Sequence, residues 1–476
     1  MEFKDELARS FFDYMWENVT VNMPELADKE PVRNKIESEA QTYAQSVCDL
    51  TEEYEVGGVN KRYLHINRQD DYVEVKPELI GIGGEACVLR GQIRWEDIPL
   101  STLARIRSHE IAEEEGKTLD RVVKGVYTRA RTELGKLTGQ KFKSERERLI
   151  GLVKDRFPYG QCTIRVPRPN ALKTNREKRA AAFAGKNMKG VLCVIEQGES
   201  YGKKEVSVTE VIGPLVPPEE VPTRFTLAQK IDLMIKSAKA LKLFHKNNVL
   251  HRDIKPDNIF VDEAGEPTIA DLGLIKLYNT DEEGIDHEES FRTIQDAGSM
   301  TFGSPAYMPL ESTGDPEQLK ERSDVYMLAG TFYTWLTGLE PNQPKKSHPK
   351  GHGFAMMINL LLSDGNSEKQ KPLAIQLADQ TIVYSEFCGA NDNPQEYDQE
   401  KFETAKRQIQ YLEIFIAYGM QRVLENRPML TEVIEDLKNI RDGEVPKYTL
   451  QEIRAREIEP AKFRNDFYRM EGSSPT

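Results

Sequence analysis

The chain has 476 residues, 38% hydrophobic and 30% charged, with a formal charge of −13 at pH 7. That balance suits a folded globular protein, and the acidic sum argues against general nucleic-acid binding. No apolar run approaches the ~18 residues a membrane span needs, the opening MEFKDELARSFF is not patterned as a secretory signal, and five scattered cysteines without a CxxC pair point to a reducing, cytoplasmic setting.

Residues 1–70 read as a helical extension. Leu7, Phe11, Phe12 and Met15 share one helix face, residues 31–50 offer a second helix, and Gly57-Gly58 breaks the pattern. Packing or dimerisation is the expected role. Residues 72–93 change character, with two β-prone runs around Gly81-Ile82-Gly83-Gly84-Glu85-Ala86, followed by Val88. Glycines there let a backbone approach phosphates closely and offer them free N–H groups. Residues 98–157 return to helical spacing, with Leu119, Val122, Val123, Val126, Ala130 and Leu134 in step. Ser144 and Glu147 form a capping-box pattern before Leu149. Residues 162–168, CTIRVPR, read as a strand carrying Arg165. Thr174 and Glu177 open a further helix. Residues 190–195 and 205–212 predict two strands around a GESYGKK turn, and Pro214, Pro217 and Pro218 mark a linker. Residues 226–246 form an amphipathic helix with a Thr226/Gln229 capping box.

Residues 250–276 hold the densest polar chemistry. His251-Arg252-Asp253-Ile254-Lys255-Pro256-Asp257-Asn258 and Asp271-Leu272-Gly273 flank two short apolar runs around Gly265, the pattern of a hairpin. Asp253, Asn258 and Asp271 then stand at the rims of paired strands and converge. One carboxylate to accept a proton, and a carboxylate and an amide to hold Mg²⁺, suit phosphoryl transfer. Downstream lie an acidic stretch at 281–289, SMTFGSPAYMPLE at 299–311, a helix opened by Ser323-Asp324-Val325-Tyr326 and closed by Gly338, a polar turn-rich segment at 365–400, Asn426-Arg427-Pro428, and a charged tail at 441–476.

HRDIKPDN and DLG resemble the catalytic loop and metal-binding motif of eukaryotic-type serine/threonine protein kinases. The resemblance covers roughly 72–440. It implies a two-lobed α+β fold: a small β-rich lobe at 72–213, with a helical insertion at about 98–157, and a large helical lobe at 214–440. Gly81, Gly83, Gly84 and Val88 then belong to the glycine-rich loop, with Ala86 in its third glycine place. Arg165 stands where the family has a strand lysine; Lys154 and Lys173 are other candidates for that cation. Glu177 is either the helix glutamate that pairs with it or a plain cap. Thr209 takes the gatekeeper place, and backbone groups from Glu210 to Ile212 would bind adenine. Asp253 would orient the substrate hydroxyl as base, Lys255 would neutralise the transferred phosphoryl group, and Asn258 and Asp271 would bind Mg²⁺ or Mn²⁺. Asp324 would hold the catalytic-loop backbone, Arg427 would pair with Glu311, and Arg252 would meet a phosphate on one of Ser290, Thr293, Ser299 or Thr301. The implied function is ATP-dependent phosphorylation of Ser/Thr in protein substrates, including this chain, with a regulatory partner at the N-terminal helices or the insertion. Two alternatives stand beside it. A pseudokinase scaffold is suggested by Arg165, Ala86, Leu272 and the insertion. A small-molecule phosphotransferase is disfavoured by Lys255 and the GSPAYMPLE segment.

Overall fold

A computed structural model describes residues 3–24, 29–56, 59–64, 72–82, 86–115, 125–167, 188–200, 204–272, 275–277, 305–313, 319–338, 340–341, 399–421 and 423–444. Gly83, Gly84, Glu177, Lys173, the segment 278–304 with its four candidate phosphate acceptors, the turn-rich 365–398 and the tail from 445 lie outside them. The described residues up to Ile212 gather into one compact unit, and those from Gly213 onward into a second.

The first unit is a sheet with helices. Helix α1 (Phe3–Asn22) buries Leu7 and Phe11 completely. Helix α2 (Glu30–Cys48) carries Pro31 in its first turn and buries Ile36, Ala40, Ala44 and Val47. Its alanines let the helices approach closely, and Phe11 stacks on Tyr43 with ring centroids 5.2 Å apart. The two helices of the extension are followed by two strands that the sequence reading did not name. Strands β1 (Thr51–Val56) and β2 (Val59–Leu64) pair as Val56↔Val59 through Thr51↔Leu64. Gly-Gly between two β-prone runs is a hairpin signal rather than only a helix breaker.

This hairpin joins the sheet of β3 (Val73–Ile82), β4 (Ala86–Ile93), β5 (Gln161–Pro167), β6 (Val194–Ser200) and β7 (Lys204–Glu210). Its order among the described residues is β1-β2-β3-β4-β5-β7-β6, antiparallel at every pairing. β6 starts later than the sequence suggests and runs through Gly198 to Ser200; Val191 stays outside it. Helices α3 (Leu100–Glu114), α4 (Gly125–Gly135) and α5 (Gly139–Lys154) fall within 98–157, where the sequence predicts helix; Leu119, Val122 and Val123 lie outside the described residues. Ser144 and Glu147 lie inside α5, because helical spacing continues upstream to Thr138, which takes the N-cap position. Cys87, Leu89, Cys162, Ile164, Val166, Val206 and Val208 are buried in one core with residues of all five helices. Burial pushes the Cys162 and Cys193 thiols up, the latter to about 12, so they behave as small core hydrophobes.

After α5, Arg156 reaches into this unit. Its guanidinium pairs with the Glu210 carboxylate at the end of β7, and donates to Val191 O at 2.6 Å and Met188 O at 3.2 Å. Glu210 Oε1 also accepts from Cys193 N–H at 2.8 Å. Only 7% of the Glu210 side chain is exposed, so it needs a cation beside it.

In the second unit, β8 (Leu215–Val216) pairs with β10 (Ile259–Asp262), which pairs with β11 (Pro267–Ile269). Helix α6 (Leu227–Lys246) opens on the expected Thr226/Gln229 capping box. Strands β9 (Val249–Leu250) and β12 (Lys276–Leu277) pair beside the polar loop. Helices α7 (Glu321–Thr337), α8 (Gln399–Gly419) and α9 (Leu430–Arg441) complete the described core. Gly338 ends α7 at φ +71°. Gly419 of α8 lies so near α7 that a Cβ there would stand 2.7 Å from Ala329 Cβ. Fully buried Trp335 and Phe332 lie within this contact, with Phe332 stacked on Phe415.

Arg156→Met leaves the buried Glu210 carboxylate without its cation. The expected cost is about 3–5 kcal/mol, measurable as a lowered urea midpoint.

Candidate active site

The β10–β11 hairpin positions the polar cluster. Ile259 faces Ile269 and Phe260 faces Thr268. Its turn is closed by Asp262, whose Oδ1 accepts from Ala264 N–H at 3.0 Å and Glu266 N–H at 2.8 Å, with Gly265 at φ +74°. Asn258 immediately precedes β10, and Ala270 follows β11. Ala270 N–H donates to Asn258 O at 2.8 Å. That bond extends the register of the hairpin to Asn258 and Ala270 and sets Asp271 one residue beyond it.

Asp253 is the centre of the loop. Its carboxylate accepts from Asn258 Nδ2 at 2.8 Å and pairs with Lys255 Nζ at 3.1 Å. Asn258 Nδ2 also donates to Asp253 O at 2.8 Å. Both bonds use the amide nitrogen, which turns the Asn258 carbonyl oxygen away from Asp253. That oxygen and the exposed Asp271 carboxylate are hard oxygen donors, the kind a divalent cation such as Mg²⁺ takes. The residues present therefore fit a divalent cation held between protein and phosphate. Arg252 and Asp271 adopt φ +68° and +51°, a strained region for side chains of this size.

The loop is held from below by Asp324, in the first turn of α7. Its Oδ1 accepts from Arg252 N–H at 2.8 Å, and its Oδ2 from His251 N–H at 2.9 Å and His245 Nε2 at 2.9 Å. His251 in turn donates from Nε2 to Ala270 O at 3.0 Å and accepts Asp253 N–H at Nδ1 at 3.4 Å. One imidazole thereby joins the two polar clusters. Burial pushes the Asp324 carboxyl up, but the His245 hydrogen bond and charge outweigh it and hold the group below the usual range. His245 was not singled out in the sequence. It ends an amphipathic helix otherwise read as core, and only a polar residue breaking the apolar face would have flagged it.

Glu311 and Arg427 meet in a bidentate pair at 2.5 and 3.0 Å. The arginine is fully buried, lies 4.8 Å from the Tyr326 ring centre, and also donates to Gln421 O at 2.6 Å. Ser323 Oγ donates to Glu311 Oε1 at 2.8 Å. Burial raises the Glu311 carboxyl, but Arg427 prevails and leaves it lowered.

In the first unit, antiparallel register aligns Val88, Arg165 and Ser207 in one row, and Arg90, Thr163 and Thr209 in the next. The two threonine hydroxyls bond at 2.5 Å. These rows lie on the sheet face opposite the buried one, since Cys87, Leu89, Ile164 and Val208 alternate with them. Val88 and Arg165 are thus brought together on half-buried positions. Gly81 is described at the end of β3, whereas Gly83, Gly84 and Glu177 lie outside the described residues. Lys154, the alternative cation, ends α5 rather than standing on a strand. At Glu210, the N–H donates to Cys193 O at 3.0 Å, and the carboxylate pairs with Arg156 and accepts from Cys193 N–H.

Residues 219–433 match the family model described as protein kinase domain. Among curated proteins, the chain is 28% identical over 231 residues to a probable LRR receptor-like serine/threonine-protein kinase of Arabidopsis thaliana, covering 47% of this chain and 19% of that one. It is 26% identical over 194 residues to serine/threonine-protein kinase PknA of a Nostoc strain, covering 38% and 28%. It is 26% identical over 228 residues to serine/threonine-protein kinase PknB of Mycobacterium tuberculosis, covering 44% and 33%. The chain thus spans at most 33% of the length of these three relatives. No helix among the described residues is long and apolar enough to cross a membrane.

Folding lowers the Asp324 and Glu311 carboxyls, so their ionised forms stabilise the native state above the ordinary carboxylate range, about pH 4. The contribution is lost as pH falls through the lowered values. Acid unfolding of the wild type is therefore expected to be steeper than that of Asp324→Asn. At neutral pH, Asp324→Ala leaves two buried N–H groups without acceptors and costs about 3 kcal/mol or more; denaturant titration at both pH values checks the pair.

Proposed function

We propose that this chain, whose residues 219–433 match the protein kinase domain model, is a protein kinase that transfers the γ-phosphate of ATP to serine or threonine hydroxyls of protein substrates, itself included. The observation that carries the reading is the Asp253 carboxylate in contact with both Lys255 Nζ and Asn258 Nδ2, on a loop whose backbone is fixed by a buried carboxylate.

Asp253 accepts a hydrogen bond from the substrate hydroxyl and orients its oxygen toward the γ-phosphorus; as that oxygen bonds to phosphorus, the bond from phosphorus to the β,γ-bridging oxygen breaks, ADP leaves with that oxygen, and the hydroxyl proton passes to Asp253. Lys255, already beside Asp253, balances charge on the transferred group. Asn258 and Asp271 hold the divalent cation, Mg²⁺ or Mn²⁺, which when bound neutralises phosphate charge. Gly81, Gly83, Gly84 and Val88 cover the nucleotide phosphates. Arg165 supplies the strand cation, with a planar fork in place of a compact ammonium, and Glu177 is its proposed partner. The adenine takes the backbone beyond Glu210, toward Ile212. Arg252, beside the base, awaits a phosphate in segment 290–301. A protein partner at the N-terminal helices or at α3–α5, and a cytoplasmic setting, complete the reading.

A second reading, a nucleotide- or partner-binding pseudokinase, is favoured by Arg165, which lies in one strand row with Val88 and Ser207 and which the resemblance sets in the place of the family's lysine. Purified protein with radiolabelled ATP, Mg²⁺ and a generic Ser/Thr substrate separates the two. Asp253→Ala and Asp271→Ala are each expected to lower transfer by about 10²–10⁴-fold with unchanged circular dichroism. Arg165→Lys should keep transfer measurable while Arg165→Ala raises the KM for ATP. A pure wild type that binds nucleotide but transfers nothing to substrate or to itself would replace the enzyme reading with the binding one.

A further inference from the structure

Helix α1 touches strand β3 where that strand leaves its ladder. β3 pairs with β4 as Val73↔Ile93, Glu74↔Gln92 and Val75↔Gly91. It then slips, resumes at Leu79↔Leu89, and slips again before Gly81↔Val88. Pro77, which has no N–H to give, stands within the first slip. Slips of this kind bend a strand and disturb its hydrogen bonding, so the strand end needs support from elsewhere. It comes from α1: Ser10 Oγ accepts the Leu79 N–H at 3.0 Å, across 69 residues of sequence. One turn further along the same helix face, Tyr14 Oη lies 3.8 Å from where a Cβ on Gly81 would stand. Leu7 and Phe11, on that face too, are fully buried, so α1 cannot shift along β3 without exposing core.

We infer that α1 is a positioning element for nucleotide phosphate binding: Ser10 and Tyr14 pre-set the end of β3 from which the glycine-rich stretch departs. The inference rests on the kinase reading for its ligand, though not for its geometry. A strand end already ordered spares ATP the cost of ordering it on binding. The gain therefore falls on affinity, and the step after binding is untouched. Neither residue contacts the reacting groups, so they act through β3.

The test is Ser10→Ala in the full chain, with Ser10→Thr as the conservative control. Alanine favours the helix, so α1 itself is not weakened. Loss of one hydrogen bond predicts a rise of about 3–10-fold in the KM for ATP, kcat at saturating ATP within about twofold, a thermal midpoint lowered by at most about 2–4 °C, and faster amide exchange confined to residues 79–82. Ser10→Thr should return all values toward wild type. Unchanged exchange at 79–82 together with an unchanged KM overturns the proposal. So does a larger fall in thermal midpoint with faster exchange throughout the unit, which would make Ser10 a packing residue only. If the wild type transfers no phosphate, the enzyme reading fails by itself. The positioning claim is then decided by exchange at 79–82 and by the dissociation constant of ATP measured calorimetrically, where an unaltered pair counts against it.

Discussion

The second unit depends on one buried carboxylate. Asp324 is 1% exposed and accepts hydrogen bonds from two successive backbone N–H groups and an imidazole. Those N–H groups belong to His251 and Arg252, so the loop before Asp253 is anchored by main chain rather than by side chains that could change rotamer. With Arg252 held at φ +68°, the chain reverses sharply enough to bring Asp253 back beside Asn258. A left-handed arginine is costly, and the charge-assisted bonds from Asp324 offset that cost. His251 then passes the constraint on to Ala270, and through it to Asp271.

Much of this was legible in the sequence because the spacing is short and each residue type has few alternatives. Asp253, Lys255 and Asn258 fall within one loop, and their mutual contacts follow from the hairpin that Gly265 and Asp262 close. The Thr226/Gln229 box and the Gly338 stop were readable because capping is local chemistry. Glu311 with Arg427 spans 116 residues, yet it was anticipated from the resemblance, since no local rule links them. What stayed hidden was long-range or ambiguous in period. His245 looked like core. The strands at 51–64 hid behind a glycine pair with two meanings. The register slip in β3 depends on how one strand meets another, and nothing in a single strand's sequence announces a partner 69 residues away.

The two units solve the problem of buried charge in the same way. Arg156 with Glu210, and Arg427 with Glu311, are arginine–carboxylate pairs whose remaining guanidinium donors go to main-chain carbonyls. A lysine has too compact a head to serve a carboxylate and two carbonyls in a plane. In each case the ion pair ties the end of one element to a segment distant in sequence: Arg156 follows α5 and grips the last residue of β7, and Arg427 precedes α9 and grips the turn before α7.

The shared core of the first unit changes where that unit begins. The protein kinase family match starts at residue 219, and the motif resemblance starts near 72. Leu7, Phe11, Ala40, Ala44 and Leu64 nevertheless lie in the same apolar cluster as Leu89, Ile164 and Val208. A chain cut just before Tyr72 would bare that greasy flank and strip the sheet of two strands, leaving a new edge open to pairing with other molecules. The smallest soluble fragment is therefore set by cohesion, and it reaches back to the first helix.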